Sequence, residues 1–171
     1  QQGAPNLTNV GAAAVDFQVR TGRMPMANPL VQAPRKENTF TEDEIAALAA
    51  YVASLGNGPA IPDESQYDPS SVSAEGVARG GDLFRTNCSA CHNFKGAGGA
   101  LPDGRVAPSL QGVDAKEIWE AMRTGPGQMP VFASGDELGG LTRSFADMTA
   151  QLADARAQVQ RGVAQLEGAR T

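Results

Sequence analysis

Aromatic side chains make up only 5% of the 171 residues, within an apolar total of 41%. A core built from this chain alone would be thin, and a bulky apolar cofactor would fill the gap. Cysteine and histidine are scarcer, at two and one. Those counts exclude a zinc site made of four Cys/His ligands, and any Ser-His-Asp triad that does not use the single histidine. No run approaches the roughly 18 apolar residues of a bilayer span. Positive charge is not in excess either: 14 Lys and Arg stand against 19 Asp and Glu, for a net charge of -5. Interspersed charge of that sign argues against a nucleic-acid partner. The chain opens on Gln1 with no charged-then-apolar leader, so it reads as a processed product or an internal fragment.

Breaker-rich stretches divide the chain. A first block covers residues 1–58, and a Gly/Pro/Ser linker without periodicity covers 59–72. A second block covers 73–135, and residues 136–171 are rich in Ala, Gln and Arg. Within the blocks lies an internal repeat. Ala4-Pro5-Asn6-Leu7-Thr8-Asn9-Val10 resembles Ala107-Pro108-Ser109-Leu110-Gln111-Gly112-Val113, and Arg20-Thr21-Gly22 falls in register with Arg123-Thr124-Gly125. After a short insertion, Met24-Pro25 lands on Met129-Pro130. Such self-similarity points to a duplicated domain whose first copy is truncated, because the residues that precede Pro108 have almost no counterpart before Pro5. The elements read as helices. Ser73 caps one running to about Cys88, and Asp114 caps another that stops at Gly125-Pro126. Thr41 and Glu44 form a capping box for a third, with Ile45, Leu48, Val52 and Leu55 on one face, ending at Gly56. No alternating strand is evident. Leu141, Phe145, Met148, Leu152, Ala155, Val159, Gly162 and Leu166 follow a heptad spacing, which reads as a C-terminal amphipathic helix.

Cys88-Ser89-Ala90-Cys91-His92 is a C-x-x-C-H motif, the pattern of covalent c-type haem attachment. Two thiols three positions apart on one helical turn can each add to a vinyl group, and the adjacent imidazole then meets the iron. A thioredoxin-like dithiol would need a strand-to-helix setting, and a disulfide across two residues would be strained. An electron carrier takes a second axial ligand. Met129 is the candidate, since a thioether in the Gly125-Pro126-Gly127-Gln128-Met129-Pro130 loop is poorly placed for packing along a helix face. Pro108 is a candidate to orient His92 through a carbonyl of its loop. Phe84, Leu110 and Trp119 are candidates to line the porphyrin, although each is equally suited to an ordinary core. The repeat makes Met24 the counterpart of Met129 for a first haem, whose Cys-x-x-Cys-His this chain lacks; the chain itself can tether one. Arg35-Lys36 reads as a solvated loop, and the Gly96–Gly99 loop lacks the Lys-Ser/Thr of a phosphate cradle.

Thr21-Gly22-Arg23-Met24-Pro25-Met26, the Thr41–Gly56 helix, Cys88–His92 and Thr124–Phe132 together resemble the dihaem cytochrome c subunit of actinobacterial cytochrome bc complexes. The resemblance implies an all-α protein of tandem class I cytochrome c domains. It implies two haems c in the family, with His92 and Met129 on the second iron and Met24 on the first. It further implies electron relay from the Rieske protein of the complex, beside cytochrome b, to the copper-A centre of a terminal oxidase. The resemblance places such a subunit on the extracytoplasmic face of the cell membrane, with membrane anchors before the first domain and after the second. Neither anchor is in this sequence, which would associate with the membrane through the complex. The rival readings are a dihaem peroxidase-type enzyme, which would need an acid/base group near an open iron position, and a mainly structural haem adaptor.

Overall fold

The computed structural model describes residues 5–28, 31–132 and 157–165. Helices dominate: α1 (Ala12–Arg20), α2 (Glu42–Ala53), α3 (Ala74–Asn87), the short α4 (Ser89–His92) and α5 (Ala115–Thr124). A minimal antiparallel ladder, β1 (Gly99–Ala100) with β2 (Val106–Ala107), pairs Gly99 with Ala107 and Ala100 with Val106. Period-two alternation cannot show itself over two residues, which is why no strand is legible in the sequence. The chain forms two compact units, Gln1–Gln66 with Lys116–Gly135 and Tyr67–Ala115 with Asp136–Thr171.

In the first unit, α2 begins at a capping box. The Glu44 amide donates to Thr41 Oγ1 at 3.3 Å, and the Thr41 amide donates back to Glu44 Oε2 at 2.8 Å. Glu42, Asp43 and Glu44 place negative charge at the positive end of the helix dipole. Its buried stripe is Ile45, Ala49 and Val52, and α1 contributes Ala13, Phe17 and Val19 to the same core. The sequence expects Leu48 and Leu55 on that face, but both are more than a third exposed. Ala49 satisfies the i, i+4, i+7 stripe as well as Leu48 would satisfy i, i+3, i+7, and its small side chain lets α1 approach. The helix also stops at Ala53, with Ser54 as its C-cap, before reaching Leu55. Residues 56–59 strap the two helices together: the Ala13 amide donates to the Pro59 carbonyl at 3.0 Å, and the Asn57 amide to Asn9 Oδ1 at 2.8 Å.

The repeated segments take the same local conformation, each within its own surroundings. Val10 N donates to Leu7 O at 3.2 Å, and Val113 N to Leu110 O at 3.3 Å. The third residue of each turn is left-handed, Asn9 at φ 64 and Gly112 at φ 72, a region that Asn and Gly tolerate best. At the helix ends, the Thr21 hydroxyl donates to Phe17 O at 2.5 Å and the Thr124 hydroxyl to Glu120 O at 2.7 Å.

In the second unit, Ser73 Oγ accepts from the Gly76 amide at 3.1 Å and starts α3, which buries Gly80 and Phe84 and ends at Cys88. Glu64–Gln66, at the end of the first unit's leading segment, and Pro69–Ser71, near the start of the second unit, form 3-10 turns. Most of the heptad-spaced tail lies outside the described residues. Residues 157–165 are helical, with Val159 exposed.

Replacing Thr41 with Ala removes the hydroxyl that accepts from the Glu44 amide and leaves only the backbone arm of the box. It is expected to cost about 1 kcal/mol of unfolding free energy, with Thr41→Ser retaining most of it. Denaturant titration measures this, and equal midpoints for Thr41→Ala and the parent chain would contradict the capping assignment.

Candidate haem site

The attachment motif sits where α3 gives way to α4. Cys88 N accepts its place in the last turn by donating to Phe84 O at 2.9 Å. Cys91 N and His92 N then both donate to the Cys88 carbonyl, at 3.1 and 2.9 Å. This single tight turn sets the two cysteines side by side, and both thiols are free. Burial, followed by the neighbouring Cys91, pushes the Cys88 thiol up to about 11. Cys91 is exposed.

His92 Nδ1 lies 3.0 Å from the Pro108 carbonyl oxygen. A carbonyl only accepts, so Nδ1 carries the proton and Nε2 keeps its lone pair. Pro108 is delivered by the glycine-rich loop. Gly98 N donates to His92 O at 2.9 Å, Leu110 N donates to Gly96 O at 2.8 Å, and β1 pairs with β2 just before Pro108. Gly98 stands at φ +81, and a Cβ there would fall 2.5 Å from the Ala107 carbonyl oxygen. The loop that offers no phosphate cradle therefore has a different task, holding one carbonyl against one imidazole. Its role was not read from the sequence, though the Gly-x-Gly-Gly spacing beside the motif is the signal for it.

Two free thiols on one turn, next to an imidazole whose outer nitrogen is bare and whose inner nitrogen is engaged, match the donor set a covalently held haem requires. Among the described residues no group of three or more His, Cys, Asp or Glu is arranged to hold a bare metal ion. Phe84 is buried at 3% exposure beside the motif in the same unit, and Leu110 is half-buried.

Trp119, Met129 and Met24 belong to the first unit. Trp119 is buried on α5 with the Arg123 guanidinium 5.6 Å from its ring centroid, and Met122 is buried one turn on. The half-buried Met129 sits in a loop folded back on its helix: Phe132 N donates to Met122 O at 2.9 Å, Met129 N to Pro126 O at 3.2 Å, and Arg123 Nη1 to Phe132 O at 3.1 Å. Met24 N donates to Gln18 O at 2.9 Å, and its side chain is exposed.

The sequence gives no sign of a charged seam between α1 and α5. Asp16 receives both Arg20 nitrogens, at 2.9 and 3.0 Å, and Lys116 Nζ at 2.8 Å. Burial alone would raise its carboxyl, but these cations hold it below the usual range. Arg35, expected in a solvated loop, instead forks onto buried Glu117 at 2.5 and 2.9 Å, and Lys36 Nζ reaches Pro25 O at 2.8 Å. A partner 82 positions away leaves no local signature in the sequence.

In the haem-free chain, iodoacetamide at pH 8 is expected to modify Cys91 well before Cys88, whose raised pKa leaves little thiolate and whose side chain is partly covered. Peptide mass mapping reads the order, and equal rates would contradict the geometry of the turn.

Residues 75–142 match the family model for cytochrome c oxidase, cbb3-type, subunit III. The chain is 49% identical over 133 residues to the cytochrome bc1 complex cytochrome c subunit of Mycobacterium tuberculosis, covering 76% of this chain and 47% of that protein. It is 45% identical over 149 residues to the subunit of the same name from Corynebacterium efficiens, covering 78% of this chain and 49% of that protein. The Mycobacterium leprae subunit is 48% identical over 132 residues, covering 75% and 45%. The chain thus spans about half the length of the curated relatives it matches. Its cofactor is covalently bound haem c, and residues 75–142 carry a cytochrome c domain. By sequence over three quarters of its length, the chain belongs to the family of cytochrome c subunits of cytochrome bc1 complexes.

Proposed function

We propose that this chain transfers single electrons through a haem tethered by Cys88 and Cys91, with His92 and Met129 as axial ligands. The observation that carries the reading is the Pro108 carbonyl on His92 Nδ1, which leaves the opposite nitrogen free to bind iron. When bound, the haem supplies a one-electron couple. The chain's residues do the rest. The α4 turn presents both thiols, and Pro108 fixes the ring's tautomer and makes it a stronger donor. Phe84, Leu110 and Trp119 exclude water from the porphyrin, and the Met129 loop offers a soft thioether. A Met/His pair sets a higher potential than two histidines, which suits a carrier late in a chain.

The repeat extends the reading. Residues 1–58 and 73–135 are tandem class I cytochrome c modules joined by 59–72, with the first incomplete here. Met24 is the axial thioether of a first haem whose attachment motif is not in this sequence, with Pro5 in the role of Pro108. Residues 136–171 add an amphipathic helix. Electrons arrive from the Rieske centre of a cytochrome bc complex and leave for the copper-A centre of a terminal oxidase, at the extracytoplasmic face of the membrane. The names of the relatives support membership of such a complex. Among the described residues no helix is long and apolar enough to cross a membrane. The peroxidase reading lacks a base: the one histidine is engaged by Pro108 and serves as an iron ligand.

Intact mass and iron content of chain matured with its haem are expected to give one porphyrin per molecule. The oxidised form is expected to show a weak band near the red end of the visible, which Met129→Ala abolishes while gaining carbon monoxide binding. An unchanged spectrum in Met129→Ala would remove that residue from the iron.

A further inference from the structure

The α1–α5 seam of the first unit holds two carboxylic acids that the electron-transfer reading leaves without a task. Glu120 is 0% exposed and Asp16 is 2% exposed, and α5 and α1 bring them together from positions more than a hundred residues apart. The cations of the seam are already committed. Arg20 spends two nitrogens on Asp16 and a third on Glu42 Oε1 at 2.7 Å. Lys116 sits 2.8 Å from Asp16 but 3.9 Å from Glu120. Arg35 is forked onto Glu117, which Arg23 also faces. Neither Glu120 oxygen has a hydrogen-bond partner.

Asp16 takes three of the nitrogens of Arg20 and Lys116 and Glu42 takes a fourth, which leaves Glu120 only the 3.9 Å contact to Lys116. An ionised Glu120 would be a buried carboxylate without a hydrogen bond, beside a second carboxylate, an arrangement that desolvation strongly disfavours. Two acids forced together in this way separate their proton affinities, one ionised and one holding a proton.

We infer that Asp16 and Glu120 form a buried proton-binding site in the α1–α5 seam, with Asp16 ionised and Glu120 holding the proton at neutral pH. Burial, and after it the charge on Asp16, pushes the Glu120 carboxyl up to about 9, in agreement with the placement. The site makes the docking of α5 on α1 proton-linked. In the unfolded chain a glutamate loses its proton near its ordinary value of 4.5, whereas the folded chain keeps it to about 9. Between those limits the folded state binds one more proton than the unfolded state. The seam therefore contributes its full stability below the lower value, loses it as pH rises, and has lost it above the upper value. The expected slope is about tenfold in the unfolding equilibrium constant per pH unit.

The test uses the haem-loaded chain. Infrared spectra at pH 7 are expected to contain a protonated-carboxyl stretch that shifts when glutamate is carbon-13 labelled, and its loss in E120Q separates it from the haem propionates. E120Q is expected to lose the band. Its unfolding constant, measured by denaturant titration from pH 5 to pH 9, is expected to lose the tenfold-per-unit component that the parent shows. Absence of a label-sensitive band at pH 7 would overturn the proposal. So would parallel pH profiles for parent and E120Q. Neither readout depends on which residue binds iron, so a failed Met129 assignment would leave this result standing.

Discussion

One hydrogen bond, from His92 Nδ1 to the Pro108 carbonyl, is the constraint on which the site depends. An imidazole free to rotate and exchange tautomers is a poor axial ligand. A carbonyl on the inner nitrogen fixes the plane of the ring and directs the lone pair outward. Everything between residues 93 and 110 serves that contact. The chain must leave α4, reverse, and return with a proline carbonyl at hydrogen-bonding distance. Gly98 and the two-residue ladder achieve this with backbone contacts, joined by Ser109 Oγ and Gln111 Nε2 on the Gly96 and Lys95 carbonyls. Proline suits the position because its fixed φ removes one freedom from the residue whose carbonyl must not move.

The second organising feature is electrostatic. α1 and α5 meet through charges, with Lys116 2.8 Å from Asp16 and 3.9 Å from Glu120. Exposed ion pairs of this kind contribute little, but Asp16, Glu117 and Glu120 are all buried. Breaking one partner would leave an uncompensated charge in the interior, which is much more damaging than the loss of the pair's own attraction. The seam is therefore best understood as a device for register: it specifies which turn of α5 meets which turn of α1.

The two features differ in how far they could be read from the sequence. The attachment motif, the capping box at Thr41, the Ser73 cap and the repeat all rest on patterns within a few residues, or on direct self-similarity. The expectation for α2 was half right, because two stripes of nearly equal helical spacing compete and only the neighbouring helix decides between Ala49 and Leu48. Arg35 and Glu117, or Asp16 and Lys116, could not be paired in advance. Side chains a hundred positions apart leave no local periodicity, and a charged residue in a helix reads as solvated by default. The β1–β2 ladder was too short to register as alternation.

The repeat and the seam illuminate each other. In register, Asp16 stands opposite Trp119 and Phe17 opposite Glu120, so each helix carries one acid and one aromatic in inverted order. Both aromatics lie under an arginine, Phe17 beneath Arg23 at 4.8 Å and Trp119 beneath Arg123 at 5.6 Å. Each arginine flanks the Thr-Gly step that ends its helix, and each lies shortly before a methionine in a proline-containing loop. A cation over an aromatic face at a helix end ties the last turn to the loop that follows, and it does so equally well from either side of the Thr-Gly pair. The two helix ends thus share the same link between helix and methionine loop.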